Sequence, residues 1–224
     1  MTADPRSVLV WDWPVRLFHW SIVLLIPALW WTAEEGYMDW HRRFGLTMLG
    51  LVIFRLIWGF AGSWTARFMP MLRRITSVPA YLRELRAGTH KPVFGHNPMG
   101  VLSVFALLLM LSIQVGTGLF TVDVDGLESG PLSVLVTFDT GRELADIHEL
   151  NFDLLSIFIS LHIVAILTYR FWLKDHLVAP MIGGSRPRSD FAADTVHPVR
   201  SSPVMLTLAV LIALAGVYAA LNAA

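Results

Sequence analysis

The sequence contains no cysteine among its 224 residues, and only 15% of them are charged. The lack of cysteine excludes disulfides, thiolate metal sites, cysteine nucleophiles and covalent haem attachment through a CxxCH motif. Because 17 basic and 17 acidic residues cancel, the net charge gives no reason to expect nucleic-acid binding. Histidine, present eight times, is the strongest metal ligand that remains.

Apolar runs dominate the chain, with 55% hydrophobic residues and a mean hydropathy of +0.59. A transmembrane helix needs about 20 apolar residues, so the sequence predicts an all-α membrane protein. We expect a four-helix transmembrane bundle within residues 1–183, and a linker with a fifth, C-terminal transmembrane helix within 184–224. No cleavable signal peptide is recognisable, so the first span is expected to be retained. The predicted spans cover residues 17–33, 44–60, 99–122, 143–172 and 203–224.

The connecting segments differ in the sign of their charge. Residues 63–97 contain six basic residues and one acid, whereas residues 123–147 contain six acids and one arginine. Since lysine and arginine mark the cytoplasmic side of short loops, the basic segment and the N-terminus should be cytoplasmic and the acidic segment external. Within the basic segment, SVPAYLRELRAG is either a short amphipathic helix on the membrane surface or a soluble connector.

Four histidines fall at two depths of the predicted bundle. His148 and His162 are fourteen residues apart, which places them about 21 Å apart along one face of a helix. The span directions put His41 beside His148 at the outer level, and His19 beside His162 at the inner level. Two imidazoles from different helices suit bis-histidine ligation of a non-covalent b haem, and ionisable groups inside a span indicate a functional site. The alternative is that each histidine is a hydrogen-bonded core residue.

Two arginines are candidates for binding haem propionates at the inner level. Arg55 lies fourteen residues after His41, on the same helix face, and a carboxylate could satisfy its buried charge. Arg16, at the membrane surface, is the second candidate. For Arg55 the alternative is snorkelling to the interface or pairing with a backbone carbonyl.

Other residues are consistent with this arrangement but carry less information. His96 precedes the third span and is a candidate contact for a propionate or a quinone head group. His90, His176 and His197 are expected to be solvated or interfacial. Three glycines could let a flat macrocycle approach the helices, or could serve close helix packing: Gly45, Gly116 and Gly118.

Four blocks of sequence carry a family resemblance. The segments PVRLFHW, DWHRRFG with FRLIWGF, GHNPMG with QVGTGLF, and IHEL with SLHIVAILTYR resemble the bacterial cytochrome b561 family across about residues 8–183. That family includes the cytochrome b subunits of nickel-iron hydrogenases. The resemblance implies that the four-helix bundle binds two b haems with ligands at His19, His41, His148 and His162, and that it exchanges electrons with quinone. The run from Trp31 to His41, with PMIGG, is most similar to members that work with periplasmic c-type cytochromes.

The sequence therefore predicts electron transfer across the bacterial inner membrane, between quinone or quinol and a periplasmic redox protein such as a c-type cytochrome. The acidic external segment could steer a basic partner, or could be no more than a solvated loop. Three alternatives remain open. They are a quinone-reducing enzyme that uses a small reductant such as superoxide, a cytochrome b anchor subunit of a hydrogenase-like complex, and a haem-free anchor or transporter with a histidine proton relay.

Overall fold

The computed structural model describes residues 6–192 and 195–223, which are mostly helical. The elements follow in the order β1 (Ser7–Leu9), α1 (Trp13–Glu34), α2 (Met38–Ala61), α3 (Phe68–Ile75), α4 (Val78–Ala87), α5 (Pro98–Gly118), α6 (Phe138–Phe171), α7 (Val178–Gly183), β2 (Ser185–Pro187) and α8 (Pro203–Leu221). Single 3₁₀ turns occur at Ser133–Leu135 and Arg188–Asp190.

Within the described part of the chain, five helices are long and apolar enough to cross a membrane: α1, α2, α5, α6 and α8. The predicted all-α membrane fold with a fifth C-terminal span is thereby confirmed. The predicted ends were less accurate than the number of spans. Helix α2 begins six residues before Phe44 and α6 begins five residues before Glu143, because helical hydrogen bonding continues into polar sequence beyond the apolar run. Helix α5 ends at Gly118, four residues before the predicted Val122.

The chain forms two compact units. The first contains Met1–Leu17, Ile57–Phe105 and Ser160–Leu206, and the second contains Phe18–Leu56, Ala106–Ile159 and Thr207–Ala224. The division into residues 1–183 and 184–224 stays a prediction, since the long helices contribute segments to both units.

The second unit is built around four buried side chains, Met48 and Val52 on α2, Leu111 on α5 and Leu155 on α6. Apolar residues of α1 pack against this cluster. Helix α8 packs on α2 through small residues: a Cβ added to Gly216 would lie 2.6 Å from Ile53 Cδ1, and one added to Gly50 would lie 3.2 Å from Val217 Cγ2. Small residues that let helix backbones approach closely are typical of membrane helix pairs.

The first unit contains the basic segment, which is more ordered than its composition suggests. Helix α4 lies within SVPAYLRELRAG and agrees with the helical one of the two alternatives for this segment. It ends at Gly88 in the left-handed conformation, with φ of 68°. Helix α3 was not predicted. The Tyr81 hydroxyl on α4 lies 2.9 Å from the Tyr169 hydroxyl on α6, and burial with this hydrogen bond raises the pKa of Tyr81. Membrane-surface placement of α4 stays a prediction.

The first unit also contains a short antiparallel strand pair that sequence reasoning missed. Strands β1 and β2 pair in the register Ser7 with Pro187 and Leu9 with Ser185. Three-residue strands carry too little alternation to be recognised from sequence. The pairing joins the segment before α1 to the segment after α7.

Candidate functional site

The two outer histidines meet in the second unit. His41 lies in the first turns of α2, and His148 lies on α6 between Arg142 and the buried Leu155. Their ring centroids are 6.3 Å apart, with the ring planes 78° apart. Both rings are partly buried. The sequence prediction that these two helices bring their histidines to one level therefore agrees with the geometry of this unit.

Each of these histidines is oriented by a backbone carbonyl. Nδ1 of His41 lies 2.9 Å from the Leu29 carbonyl oxygen, and Nδ1 of His148 lies 2.9 Å from that of Gln114. A carbonyl can only accept, so both Nδ1 atoms carry the proton and donate. The remaining nitrogen, Nε2, is then the unprotonated one in each ring. Metal-ligating histidines commonly have this arrangement, since the second-shell hydrogen bond fixes the tautomer and the ring orientation.

The ring separation agrees with ligation of one metal ion. A metal ion bonds to one nitrogen of each ring at about 2 Å, and each ring centre lies about 1 Å beyond that nitrogen. The two ring centres are then roughly 6 Å apart. The observed 6.3 Å is of this size. Imidazole is a good ligand for iron, so this histidine pair fits bis-histidine haem ligation.

A cavity of about 570 Å³ adjoins both histidines. Its volume lies within the range of about 300–1,000 Å³ that small-molecule and cofactor sites occupy. Apolar core residues, including Met48, Leu111 and Leu155, line one part of it. Residues from the helix ends and the α5–α6 connection line the other part. The cavity is therefore amphipathic, as a site for haem must be.

The polar part of the cavity contains charged residues that sequence reasoning did not assign to a site. Arg42, Arg142 and Glu128 are among them. Arg42 forms ion pairs with Glu128 and with Asp39, the latter at 2.5 Å. Arg142 donates to the Val122 carbonyl oxygen at 2.9 Å and lies 3.3 Å from an Asp146 oxygen. Arg42 follows His41 directly in DWHRRFG, and this adjacency was the available signal.

The acidic α5–α6 connection covers part of this cavity. The Gly130 amide donates to the Thr121 carbonyl at 2.8 Å, and the Leu132 amide donates to that of Leu119 at 2.7 Å. These bonds fold the connection back on itself, and residues 128–131 line the cavity. The acidic segment is thus part of the wall around the histidine pair.

The three glycines singled out in the sequence have different surroundings. Gly45 lines the cavity, and a Cβ added there would have no atom within 4 Å. Gly118 also lines it, and its added Cβ would lie 2.8 Å from Cε1 of His148. An added Cβ at Gly116 would have no atom within 4 Å, and Gly116 is not among the cavity residues. Gly118 therefore makes room for the imidazole, and Gly45 leaves cavity space open.

The inner histidines belong to different units. His19 lies on α1 in the second unit, where its ring meets Trp20 edge-on with centroids 5.3 Å apart. His162 lies on α6 in the first unit, and its Nδ1 is 3.1 Å from Ser103 Oγ on α5. A serine hydroxyl can orient a ligating imidazole as a carbonyl does. Their pairing around an inner haem stays a prediction.

The other predicted site residues are placed as follows. Arg55 is buried within α2, with 4% of its surface exposed. Arg16 donates to the Ile182 carbonyl oxygen at 2.5 Å, and no described residue accepts a hydrogen bond from its buried Nε. That buried donor is consistent with an anionic group nearby.

His96 packs against Trp11 with ring centroids 4.5 Å apart, and its carbonyl oxygen accepts a hydrogen bond from the Arg74 guanidinium. Burial lowers the pKa of Arg74.

Comparison with known proteins shows the family of this chain. A family model described as prokaryotic cytochrome b561 matches residues 10–184. The chain belongs to the prokaryotic cytochrome b561 family. This membership makes it a b-type membrane cytochrome that transfers electrons, and the family resemblance of the four sequence blocks is confirmed.

Several curated relatives align with this cytochrome over most of its length and over most of their own length. A probable Ni/Fe-hydrogenase B-type cytochrome subunit of Azotobacter chroococcum is 24% identical over 220 residues, which is 84% of this chain and 92% of the relative. Its counterpart in Rhodobacter capsulatus is 23% identical over 82% of this chain and 83% of its own. The probable Ni/Fe-hydrogenase 1 B-type cytochrome subunit of Escherichia coli K12 is 24% identical over 79% of this chain and 89% of its own length.

Proposed function

We propose that this cytochrome moves single electrons across the bacterial inner membrane through two b haems, between the quinone pool and a periplasmic redox partner, specifically a c-type cytochrome. The observation that supports it most is the outer histidine pair, with both Nδ1 atoms bonded to carbonyls and the rings 6.3 Å apart beside an amphipathic cavity. A bound b haem supplies reversible one-electron redox chemistry there.

The residues of the chain determine where electrons can pass. Helix α6 is continuous from Phe138 to Phe171 and contains both His148 and His162. Fourteen residues of helix separate them by about 21 Å, so one helix contributes a ligand at each of two levels in a membrane about 30 Å thick. His41 completes the outer site and His19 the inner site. Carbonyl bonds such as those of Leu29 and Gln114 fix the ligand orientation and influence the haem potential.

The inner end of this path is where we place quinone. The predicted span directions put Arg16, Arg55 and His96 near the level of the inner ligands, and a haem propionate or a quinone carbonyl accepts hydrogen bonds from such groups. The basic segment 63–97 makes this end cytoplasmic by the positive-inside rule. The N-terminus is then cytoplasmic.

The outer end of the path carries a surface that suits a transient redox partner. Val124 and Leu127, in the connection that covers the outer cavity, are 73% and 83% exposed. The exposed Asp125 lies between them in the sequence and has no ion pair among the described residues, and the half-buried Asp123 and Glu128 flank them. A small apolar contact inside a charged rim is typical of weak, fast electron-transfer complexes, because charge steers the encounter and little area is buried.

The proposal is tested with the purified protein in liposomes, with quinol supplied in the membrane and a basic c-type cytochrome outside. We expect quinol-dependent reduction of the c-type cytochrome that slows as salt is raised, because salt screens the attraction between the acidic surface and the partner. His41→Ala should abolish the reaction, and the exposed His176→Ala should not. Equal rates for His41→Ala and wild type would overturn the proposal, and a rate indifferent to salt would overturn the docking surface.

A second candidate function is that of the membrane cytochrome subunit of a hydrogenase-like complex. The relatives named as Ni/Fe-hydrogenase B-type cytochrome subunits favour it, since they cover about four-fifths of this chain. In that case electrons enter from a bound hydrogenase and reach quinone, and the external surface is a stable interface. Purification from native membranes in mild detergent distinguishes the two, since a hydrogenase subunit should co-purify in equal amount with a nickel- and iron-containing partner.

A further inference from the structure

The cavity beside the outer histidines has charge in only one part. Met48 and Leu155 each lie seven residues beyond a histidine, about 10 Å deeper along their helices, and line the apolar part. Arg142 precedes His148 by six residues, which places it about 9 Å nearer the N-terminal end of α6. It lines the polar part of the cavity together with Arg42. The charged residues are therefore concentrated where the end of α1, the start of α2, the first half of α6 and the α5–α6 connection line the cavity.

A b haem has a matching asymmetry. Its two propionate carboxylates leave one edge of the macrocycle, and the opposite edges are apolar. Carboxylates taken out of water need cationic or donor partners, and arginine provides a planar fork that binds a carboxylate with two parallel hydrogen bonds. Four acidic residues also line the cavity, and two propionates beside them would be repelled unless cations intervene: Glu34, Asp123, Glu128 and Glu149.

On these grounds we propose that Arg42 and Arg142 bind the propionates of the outer haem. The inference rests on the outer haem site proposed above, and it differs from the propionate assignments of Arg16 and Arg55, which concern the inner level. It also gives Arg42 a double role, because the same guanidinium is ion-paired with Glu128 of the covering connection. Arg42 thereby joins the haem edge to the external surface.

The existing contacts of the two arginines leave donors for this purpose. A guanidinium has five N–H donors. Arg42 uses Nη1 for Glu128 and Nη2 for Asp39, while Arg142 uses Nη1 for the Val122 carbonyl and Nη2 for Asp146. These acids and the carbonyl hold each guanidinium at the cavity wall, where the remaining N–H groups are available to a carboxylate.

Arg43 provides a matched control for Arg42. It carries the same charge one residue further along α2, but it is exposed, lies over the Trp40 ring at 5.2 Å and is absent from the cavity lining. Replacing either arginine by glutamine removes one positive charge near the external end of α2. Only the Arg42 change removes a proposed propionate contact.

The test compares wild type, Arg42→Gln and Arg43→Gln, each reconstituted with haem b or with haem b dimethyl ester, in which the propionates carry no charge. The readouts are the midpoint potential and the dissociation rate of the outer haem. With haem b, Arg42→Gln should release the haem faster and shift its reduction equilibrium toward the ferric form about tenfold, equivalent to about 59 mV for one electron. Arg43→Gln should change both readouts little. With the ester, Arg42→Gln and wild type should behave alike.

Each outcome of this comparison either supports the contact between Arg42 and a propionate or overturns it. If Arg42→Gln matches Arg43→Gln with haem b, or if its effect persists unchanged with the ester, the propionate contact is wrong. If Arg42→Gln does not fold, Arg142→Gln repeats the comparison at the second arginine. A wild-type protein with no haem at His41 and His148 would overturn the proposed outer site itself, which is a different result from a normal outer haem that ignores Arg42.

Discussion

Asp12 joins three distant segments of the first unit through one carboxylate. Its Oδ1 accepts from the Val15 amide at 2.9 Å, which caps the start of α1, and its Oδ2 accepts from Trp58 Nε1 at 3.0 Å and from Ser201 Oγ at 3.2 Å. Asp12 is 2% exposed, and Trp58 is fully buried. The carboxylate therefore satisfies buried donors that have no access to water.

Replacing Asp12 by alanine should lower the free energy of unfolding by about 2–4 kcal/mol, because it removes a helix cap worth about 1 kcal/mol and leaves buried donors unsatisfied. Asp12→Asn should cost less, since one oxygen remains as an acceptor. The measurement is the thermal unfolding midpoint in detergent, with the exposed Asp125→Asn as a control. An Asp12→Ala protein as stable as the control would contradict this role.

For single residues, the sequence predicted four candidate histidine ligands but said little about the surroundings of each imidazole. The fourteen-residue spacing put His148 and His162 on one helix face, and the directions of the spans put His41 at the level of His148. The carbonyls of Leu29 and Gln114 carry no side-chain signal, and their role in fixing the histidine tautomers could only come from coordinates. The same holds for the Arg42–Glu128 pair, which joins residues 86 positions apart.

Helix α2 uses two different faces, one toward the cavity and one toward α8. Gly45 is four residues after His41, about 40° away around the helix, and it lines the cavity. Gly50 is nine residues after His41, about 180° away, and it faces Val217 of α8. Helix α8 therefore packs against the side of α2 that lies opposite to His41.

A glycine-to-leucine substitution should have different effects on the two faces of α2. Gly45→Leu should fill cavity space and prevent occupation of the outer site, whereas Gly50→Leu should disturb the α2–α8 packing and lower the unfolding midpoint while haem content stays at the wild-type value. Haem per chain and thermal unfolding are measured on both variants. Loss of haem from Gly50→Leu with none from Gly45→Leu would reverse the assignment of the faces.

At the scale of elements, hydrophobicity predicted the number of spans, while their ends and the short elements required tertiary contacts. Helix α3 begins at Phe68 and has two arginines in its last turn, and nothing in an arginine-rich connector distinguishes such a helix from a coil. Strands β1 and β2 are separated by 175 residues, and pairing over that distance leaves no local pattern.

The orientation of the whole molecule in the membrane can be tested directly by cysteine labelling, because the sequence contains no cysteine of its own. A single cysteine at Leu127, which is 83% exposed, should react with a membrane-impermeant maleimide in intact spheroplasts. A single cysteine at the exposed Arg86 of α4 should react only after the membrane is opened. The opposite labelling pattern would invert the proposed topology, because loop charge, and not helix packing, is the basis for the assignment.

We propose that two haems lie between the helices at two levels, with the outer one held by His41 and His148. The most direct measurement is the amount of b haem per chain, determined by pyridine haemochrome absorbance on purified wild type, His41→Ala and His162→Ala. We expect two haems per chain in the wild type and one in each variant. Reduced-minus-oxidised spectra of the native proteins, recorded before pyridine is added, should differ between the variants because a different haem remains in each. A wild type without haem, or variants that keep both haems, would overturn the assignment of these histidines as haem ligands.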